Sequence, residues 1–152
     1  AWTDKSGVPL VVMTADCLPI LLTNRSGTKV AAIHGGWRSL AAGIIEQTLS
    51  QMNSQGDEWI AWLGPAIGPD HFEVGNDVFE SFTRMDQSLA SAFRPVGNKW
   101  YADLYQIAQQ LLAKLSVKAI TSNLCTYSDA EKWFSYRRDG KTGRLVSLIV
   151  IS

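Results

Sequence analysis

The chain has 152 residues, of which 46% are hydrophobic and 18% are charged, a composition that indicates a folded globular domain and excludes a disordered chain. Lysine plus arginine and aspartate plus glutamate number 14 each, so the net charge is zero and lacks the basic excess of nucleic-acid binders. No apolar run reaches the roughly 18 residues of a membrane span, and the two cysteines favour a reducing cytosol over a disulfide scaffold. We therefore expect a cytoplasmic protein with no nucleic-acid or membrane partner.

The first third of the chain predicts three short strands and then one helix. Apolar and β-branched runs mark the strands, at Pro9–Met13, Leu18–Thr23 and Lys29–Ile33. The turn signal Asn24-Arg25-Ser26-Gly27 joins the last two strands as a hairpin. Apolar residues at helical spacing, from Leu40 to Met52, predict a single helix over Trp37–Met52.

The rest of the chain mixes strands and helices. The predicted elements are strands at Glu58–Leu63 and Lys118–Ser122, helices at Val74–Arg84 and from the N-cap Asp103 to Leu115, and a final hairpin of Phe134–Arg137 with Arg144–Ile151, whose last strand is expected to be buried. Because a hairpin joins the early strands, the pattern favours an α/β or α+β layered sandwich with a mixed sheet over a doubly wound parallel sheet. No Gly-x-Gly-x-x-Gly fingerprint follows a strand, so no dinucleotide site is expected.

Chemistry-bearing residues first occur where the strand Pro9–Met13 ends. The segment Thr14-Ala15-Asp16-Cys17-Leu18-Pro19 places a carboxylate beside a thiol at a strand junction. A small buried cysteine next to a turn-forming aspartate is the simpler interpretation, because cysteine is among the most buried residue types.

A second group, His34-Gly35-Gly36-Trp37-Arg38, follows the strand Lys29–Ile33. The two glycines allow a ligand to approach the backbone closely, and the start of the next helix favours an anion such as phosphate. Arg38 would add a bidentate contact to that anion. A tight strand-to-helix turn with Arg38 as a surface charge explains the same residues equally well.

If the strands that end at Cys17 and His34 are neighbours, a thiol and an imidazole converge. One chemistry is a Cys–His nucleophile pair, in which the imidazole lowers the pKa of the thiol. The other is a catalytic zinc site, which needs three protein ligands and one open position. The residues alone do not decide between these two chemistries. A third zinc ligand is not evident, because His71 is the only other histidine and is expected to be an exposed loop residue.

Two further groups lie later in the chain. The glycine- and proline-rich loop Gly64–Gly75 suggests fixed, irregular backbone near a pocket. Cys125-Thr126-Tyr127 and Phe134–Asp139 combine aromatic side chains, which stack on bases, with arginines, which hold phosphate. A hairpin with an aromatic inner face and a charged outer face is the competing interpretation.

Five segments together resemble the YfiH family, in the family's order and over nearly the whole chain. They are MTADCLPILL, AAIHGGWRSLAAGII, WLGPAIGPDHFEVG, YADLYQIAQQLL and CTYSDAEKWFSYRRDGKTGR. That family has been called both a multicopper polyphenol oxidase, or laccase-like, family and a purine nucleoside phosphorylase family. The resemblance implies a layered sandwich similar to the catalytic domain of cytotoxic necrotizing factor.

The same resemblance implies a zinc-dependent enzyme whose partners are a purine nucleoside and phosphate. Family members are thought to convert adenosine, inosine, guanosine and methylthioadenosine to base and ribose 1-phosphate, and to deaminate adenosine. Cys17 in TADCLP and His34 in IHGGWR match the zinc-binding cysteine and histidine of the family. Arg38 is then a candidate for phosphate binding, and Asp16 for moving a proton or orienting a ligand.

The family's remaining zinc ligand lies in an upstream Gln-Val-His-Gly motif, which residues 1–152 do not contain. We therefore expect residues 1–152 to be a single domain that is the C-terminal part of a longer YfiH-like domain. Two alternatives remain: a copper-dependent polyphenol oxidase, against which the presence of only two histidines argues, and a non-catalytic binding domain.

Overall fold

The computed structural model describes residues 1–53 and 56–152 and has an α+β architecture. Its strands are β1 (Trp2–Thr3), β2 (Leu10–Thr14), β3 (Leu18–Asn24), β4 (Val30–Gly35), β5 (Trp59–Leu63), β6 (Glu73–Val74), β7 (Phe93–Val96), β8 (Lys99–Ala102), β9 (Lys118–Thr121) and β10 (Leu145–Ile149). Its helices are α1 (Trp37–Ala41), α2 (Ile44–Gln51), α3 (Asn76–Met85), α4 (Leu104–Lys114) and α5 (Tyr136–Asp139), with a 3₁₀ helix at Gln87–Ala92. Within the described ranges no helix is long and apolar enough to cross a bilayer.

The main sheet has the strand order β1-β4-β3-β5-β9 and is mixed, because β9 runs parallel to β5 while the other pairs are antiparallel. The main hydrophobic core combines one face of this sheet with the helices. Alternate sheet residues enter it, among them Ile20, Ile33 and Leu63, and pack with Leu40 and Ile107 from the helices. This arrangement confirms the predicted mixed sheet in an α+β fold. The similarity to cytotoxic necrotizing factor stays a prediction.

A two-stranded sheet of β2 and β10 packs on the other side of the main sheet, against β3 and β4. Leu10 and Val12 of β2 form a small second core with Val30 and Ala32 of β4. Because β2 ends at Thr14 and β3 begins at Leu18, this second layer leads directly into the segment that carries Cys17.

The predicted hairpin of β3 and β4 is confirmed. Its turn is held by the side chain of Asn24, whose Oδ1 accepts from the backbone N–H groups of Thr28 at 2.9 Å and Lys29 at 3.0 Å. The cap predicted for α4 is also confirmed, since Asp103 accepts from the N–H of Gln106 at 3.0 Å. The strand and helix predictions up to residue 122 hold to within two residues at each end, with one exception.

That exception is the helix predicted over Trp37–Met52, which is wrong as a single element. The chain forms two helices separated by Gly43, which has a positive φ of 76°. A right-handed helix cannot pass through this conformation, and glycine adopts it without the steric cost that a side chain would impose. The apolar spacing survives the break because both helices bury residues in the same core, which is why the pattern resembled one helix.

The predicted C-terminal hairpin is wrong as well. Tyr136–Asp139 is a short helix that begins after Ser135, whose Oγ accepts from the N–H of Arg138 at 3.2 Å. The strand β10 pairs instead with β2, in the antiparallel register Leu145↔Thr14 to Ile149↔Leu10. Nor is β10 a buried strand, because only alternate residues face the second core and Val146 is 62% exposed.

Candidate functional site

The candidate site lies where β3 begins and β4 ends. In the antiparallel register Leu18 lies opposite Gly35 and Pro19 opposite His34, so Cys17 and His34 are brought to the same end of the main sheet. His34 alternates with the inward residues Val30 and Ala32 and therefore lies on the side of the sheet that faces the β2–β10 layer. The convergence on which both sequence-based chemistries depend is thus present.

Gly36 leaves open the space between the two side chains. A β-carbon at Gly36 would lie 3.3 Å from Cys17 Sγ and 3.6 and 3.8 Å from Cδ2 and Nε2 of His34. The thiol and the imidazole therefore border one small volume that a side chain at position 36 would enter. The sequence suggested that a ligand approaches the backbone closely at these glycines. In the structure the side chains of Cys17 and His34 lie close to Gly36.

A soft thiolate and an imidazole nitrogen are a donor pair that suits zinc, which bonds such atoms at about 2.0–2.3 Å. The residues present thus fit two of the three protein positions of a catalytic zinc site. Over residues 1–53 and 56–152, however, no group of three or more histidine, cysteine, aspartate or glutamate side chains is placed to hold a metal. A zinc site with three protein ligands would therefore need one ligand more than these residues bring together in this structure.

The electrostatic surroundings of Cys17 favour the neutral thiol. Burial raises the pKa of the Cys17 thiol, the neighbouring charge of Asp16 raises it further, and Arg144 opposes both. A Cys–His nucleophile pair needs a depressed thiol pKa, so this environment gives that chemistry no support. A cation bound beside Sγ would reverse the balance, since thiolate formation accompanies metal binding.

Arg144 is a site residue that the sequence interpretation missed. It precedes β10, whose first residue Leu145 pairs with Thr14, and this register brings the end of a distant segment to Cys17. Its guanidinium also donates to the carbonyls of Thr142 and Gly143 at 3.0 and 2.9 Å. A strand pairing between Thr14 and Leu145 leaves no local signal, although Arg144 was visible as the first residue of the predicted C-terminal strand.

Asp16 is fully engaged in holding the site together. Its Oδ1 accepts from the hydroxyl of Thr126 and its Oδ2 from the N–H of Arg137, both at 2.7 Å, while its carbonyl accepts from the N–H of Ile67 at 2.9 Å. The residue is 8% exposed and has a positive φ of 91°. These bonds give Asp16 a structural role that the sequence did not suggest, which is to hold neighbouring segments together, while moving a proton and orienting a ligand stay predictions.

Replacing Asp16 by alanine is expected to destabilise the fold by about 2–3 kcal/mol, because one buried hydroxyl and one partly buried N–H lose their charged acceptor. Thermal unfolding followed by circular dichroism measures the effect. Asp70→Ala is the matched control, since the Asp70 side chain is 81% exposed and forms only a surface ion pair with Arg94. Equal stability of the two variants would show that Asp16 does not hold these segments.

Arg38 lies at the start of α1 and is exposed, with its guanidinium 4.3 Å from the ring centre of Trp37. The helix that it begins has five residues rather than sixteen, so the expected anion site at the start of a long helix is reduced to the arginine itself. The turn before α1 is held by Ser39, whose hydroxyl lies 2.7 Å from the His34 carbonyl and 2.9 Å from the Gly36 carbonyl.

The two arginines in the segment Phe134–Asp139, which the sequence offered as phosphate ligands, have structural partners. Arg138 donates to the carbonyls of Thr126, Tyr127 and Trp133 and to Asp139, and so ties the C-terminal loop together. Arg137 donates from its side chain to the carbonyl of Glu73 at 2.9 Å. The guanidinium of Arg138 is thus occupied by protein acceptors, whereas that of Arg137 is exposed and donates to one carbonyl.

His71 and Cys125 lie together away from Cys17, along a cavity of about 310 Å³ that Asp103 and Ser128 also line. His71 stacks on Tyr127, with ring centres 4.4 Å apart. Cys125 accepts from the N–H of Gly68 at 3.2 Å, and its backbone forms a bridge with Ala66. Burial raises the pKa of the Cys125 thiol, but hydrogen bonds from Ser128 and Gly68 outweigh this and lower the pKa overall.

Cys125→Ser is expected to lower the free energy of unfolding by about 1 kcal/mol without loss of metal, because Cys125 fixes the loop at Gly68 and is not one of the two side chains that converge beside Gly36. Denaturant unfolding and metal analysis of the same preparation test both statements. Loss of zinc with the fold retained would contradict the structural role.

Comparison with known proteins places this chain in a family. The family model described as multi-copper polyphenol oxidoreductase laccase matches residues 1–152. The chain is similar to the purine nucleoside phosphorylase YfiH of Escherichia coli, with 49% identity over 150 residues that cover 98% of this chain and 62% of that protein. It is also similar to a purine nucleoside phosphorylase of Haemophilus influenzae, with 49% identity over 97% of this chain and 62% of that protein.

Among solved structures, that of a Neisseria meningitidis protein superimposes with a TM-score of 0.97 at 45% identity, covering 100% of this chain and 64% of that one. The chain thus spans less than two thirds of the length of each of these relatives. The whole-chain family match and the high identities agree with the motifs around Cys17 and His34, and the chain belongs to the YfiH family.

Proposed function

We propose that the chain carries the Cys–His part of the zinc site of a purine nucleoside phosphorylase. The observation that carries the proposal is the convergence of Cys17 Sγ and the His34 ring on the space beside Gly36, in a chain that is 49% identical to proteins named purine nucleoside phosphorylase. A zinc ion held by Cys17 and His34 together with a further ligand supplies Lewis-acid chemistry at this position.

The reaction breaks the bond between the purine nitrogen and C1′ of the ribose and forms a bond from C1′ to a phosphate oxygen. The protein therefore has to hold a phosphate dianion beside the ribose and stabilise the charge that develops as the glycosidic bond opens. Arg38 supplies a cation four residues after His34, and Arg144 supplies a second near Cys17. Asp16 positions the segments at Thr126 and Arg137 around the same site.

Deamination of adenosine is the second activity proposed for this site. Water adds to C6 of the purine and the 6-amino group leaves as ammonia, a reaction that zinc deaminases promote with a His and Cys ligand set. Product analysis separates the two reactions: adenosine with phosphate gives adenine and ribose 1-phosphate by phosphorolysis, whereas deamination gives inosine with or without phosphate. The same assay with inosine, guanosine and methylthioadenosine tests the substrate range. Absence of both products in a zinc-loaded, full-length enzyme would contradict the proposed function.

The choice of zinc over copper follows from the donor set. Laccase chemistry needs several coppers and many histidines, whereas the chain has two, and His71 stacks on Tyr127 along a different cavity from His34. Metal analysis of protein purified without added metal tests this choice. Stoichiometric copper with phenol oxidation would favour the oxidase instead.

Arg38→Ala is expected to raise the apparent KM for phosphate about tenfold and to change that for nucleoside little, because one charge-assisted hydrogen bond to the anion is lost. Initial rates at varied phosphate in the full-length enzyme provide the measurement. Arg84→Ala is the matched control, since Arg84 is an exposed arginine on α3 with an ion pair to Glu80. An unchanged phosphate dependence would move the anion site to Arg144.

A further inference from the structure

The outer face of the β2–β10 sheet is apolar and exposed. Val11 lies directly opposite Leu148, and Met13 lies opposite Val146, so the four side chains form two adjacent cross-strand pairs. They are 51%, 53%, 59% and 62% exposed, respectively. Val150, which is 44% exposed, continues the same alternation beyond the end of β10. We call these five side chains the outer apolar face.

This face is unusual for a sheet with one side in water. An antiparallel sheet normally alternates apolar residues inside with polar residues outside, and here Leu10 and Val12 already supply the inside. In the described part of the chain, the sheet consists of β2 and β10 alone, so each strand has one edge without a strand partner. A two-stranded sheet with free edges and a continuous apolar face is typical of a surface that another element covers.

We propose that the outer apolar face binds the part of the longer relatives' fold that residues 1–152 do not contain. The Neisseria meningitidis structure matches the whole chain at a TM-score of 0.97, yet the match covers only 64% of that protein. More than a third of its length therefore lies outside the part that matches this chain. The outer apolar face of the β2–β10 sheet is a surface that this unmatched part can cover. The inference depends on the family and the fold, and not on the proposed reaction.

The size of the face favours an attached segment over a second copy of the chain. Stable complexes between separate proteins bury about 800 Å² per partner, which five half-exposed aliphatic side chains do not reach. A segment on the same chain avoids most of the translational and rotational cost of association, so a smaller apolar face is sufficient. Met13 stands four residues before Cys17, so the docked segment would lie beside the candidate site.

The three methionines of the chain provide matched probes. Met13 is 59% exposed on the outer apolar face, Met85 is 38% exposed at the end of α3 in the helical layer, and Met52 is 1% exposed in the main core. Dilute hydrogen peroxide oxidises accessible methionine to the sulfoxide, and peptide mass spectrometry measures each rate. The experiment compares two proteins. The first is residues 1–152 alone. The second, called the joined chain, is residues 1–152 fused to the part of the Haemophilus influenzae relative that this chain does not match, in the same order along the chain as in that relative.

We expect Met13 and Met85 to oxidise readily in residues 1–152 alone, and Met13 alone to become at least tenfold slower in the joined chain. Met52 must stay protected in both, which verifies that each chain is folded. If Met13 remains as reactive as Met85 in the folded joined chain, the proposal is wrong. Protection of Met13 in residues 1–152 that rises with protein concentration, together with a dimer mass, would assign the face to a second copy and also overturn it.

A second measurement does not depend on the joined chain. A fluorescent apolar dye should bind residues 1–152, and the double variant Met13→Thr with Val146→Thr should reduce the fluorescence severalfold. Threonine is β-branched and suits a strand at both positions, so the fold should be retained. Met85→Gln is the control and should change little. Equal dye binding by all three proteins would show that the outer apolar face is not an exposed binding surface.

Discussion

Cys17→Ala is expected to reduce nucleoside turnover by more than about 100-fold, because even the loss of groups that only support a metal ligand costs 10–100-fold. Sγ of Cys17 borders the space beside Gly36 that the His34 ring also borders, and in the described part of the chain no other cysteine, histidine or carboxylate completes a metal-binding group there. Alanine removes this donor and leaves His34 as the single ligand from these residues.

The fold should survive the same substitution. Cys17 is half-buried, precedes β3 and has a small side chain, so its loss should cost about 1 kcal/mol or less. The measurements are phosphate-dependent adenosine turnover in the full-length enzyme, zinc content and thermal unfolding, with Cys125→Ser as the matched cysteine control. Near-normal turnover in Cys17→Ala would show that Cys17 is not a zinc ligand.

The part of the site that could be predicted from the sequence was the part carried by local patterns. The strand that begins after Cys17 and the strand that carries His34 were visible as apolar runs, and a turn signal joined them as a hairpin. The sequence left their convergence as a condition, which the antiparallel register of β3 and β4 meets. The glycine after His34 indicated close approach, and Gly36 has that role.

The remainder of the site depends on pairings between distant segments. Asp16 is held by Thr126 and Arg137, which lie 110 and 121 residues later, and such hydrogen bonds leave no trace in spacing. The C-terminal hairpin was wrongly predicted for the same reason. The apolar pattern after Arg144 predicts a strand but does not identify its partner, since residues 134–137 and β2 fit equally well. Only the tertiary structure selects β2.

Residues 1–152 alone are expected to bind zinc at least about 100-fold more weakly than a longer chain that also contains the upstream histidine of the family. Catalytic zinc normally has three protein ligands, whereas the described residues offer Cys17 and His34 and no metal-binding group of three. Losing one ligand removes a bond and much of the preorganisation of the other two. Turnover should fall with the metal, to little or none in residues 1–152.

Zinc content after dialysis and adenosine turnover, measured on residues 1–152 and on the joined chain with the Haemophilus influenzae segment, decide the question. His71→Ala in residues 1–152 is the control for a substitute ligand, and it should change nothing because His71 stacks on Tyr127 along a different cavity. Zinc bound by residues 1–152 but lost in His71→Ala would identify His71 as the third ligand. Tight, stoichiometric zinc and full turnover in residues 1–152 would show that no upstream histidine is needed. The third ligand to zinc would then be His71 or a residue from a second copy of the chain.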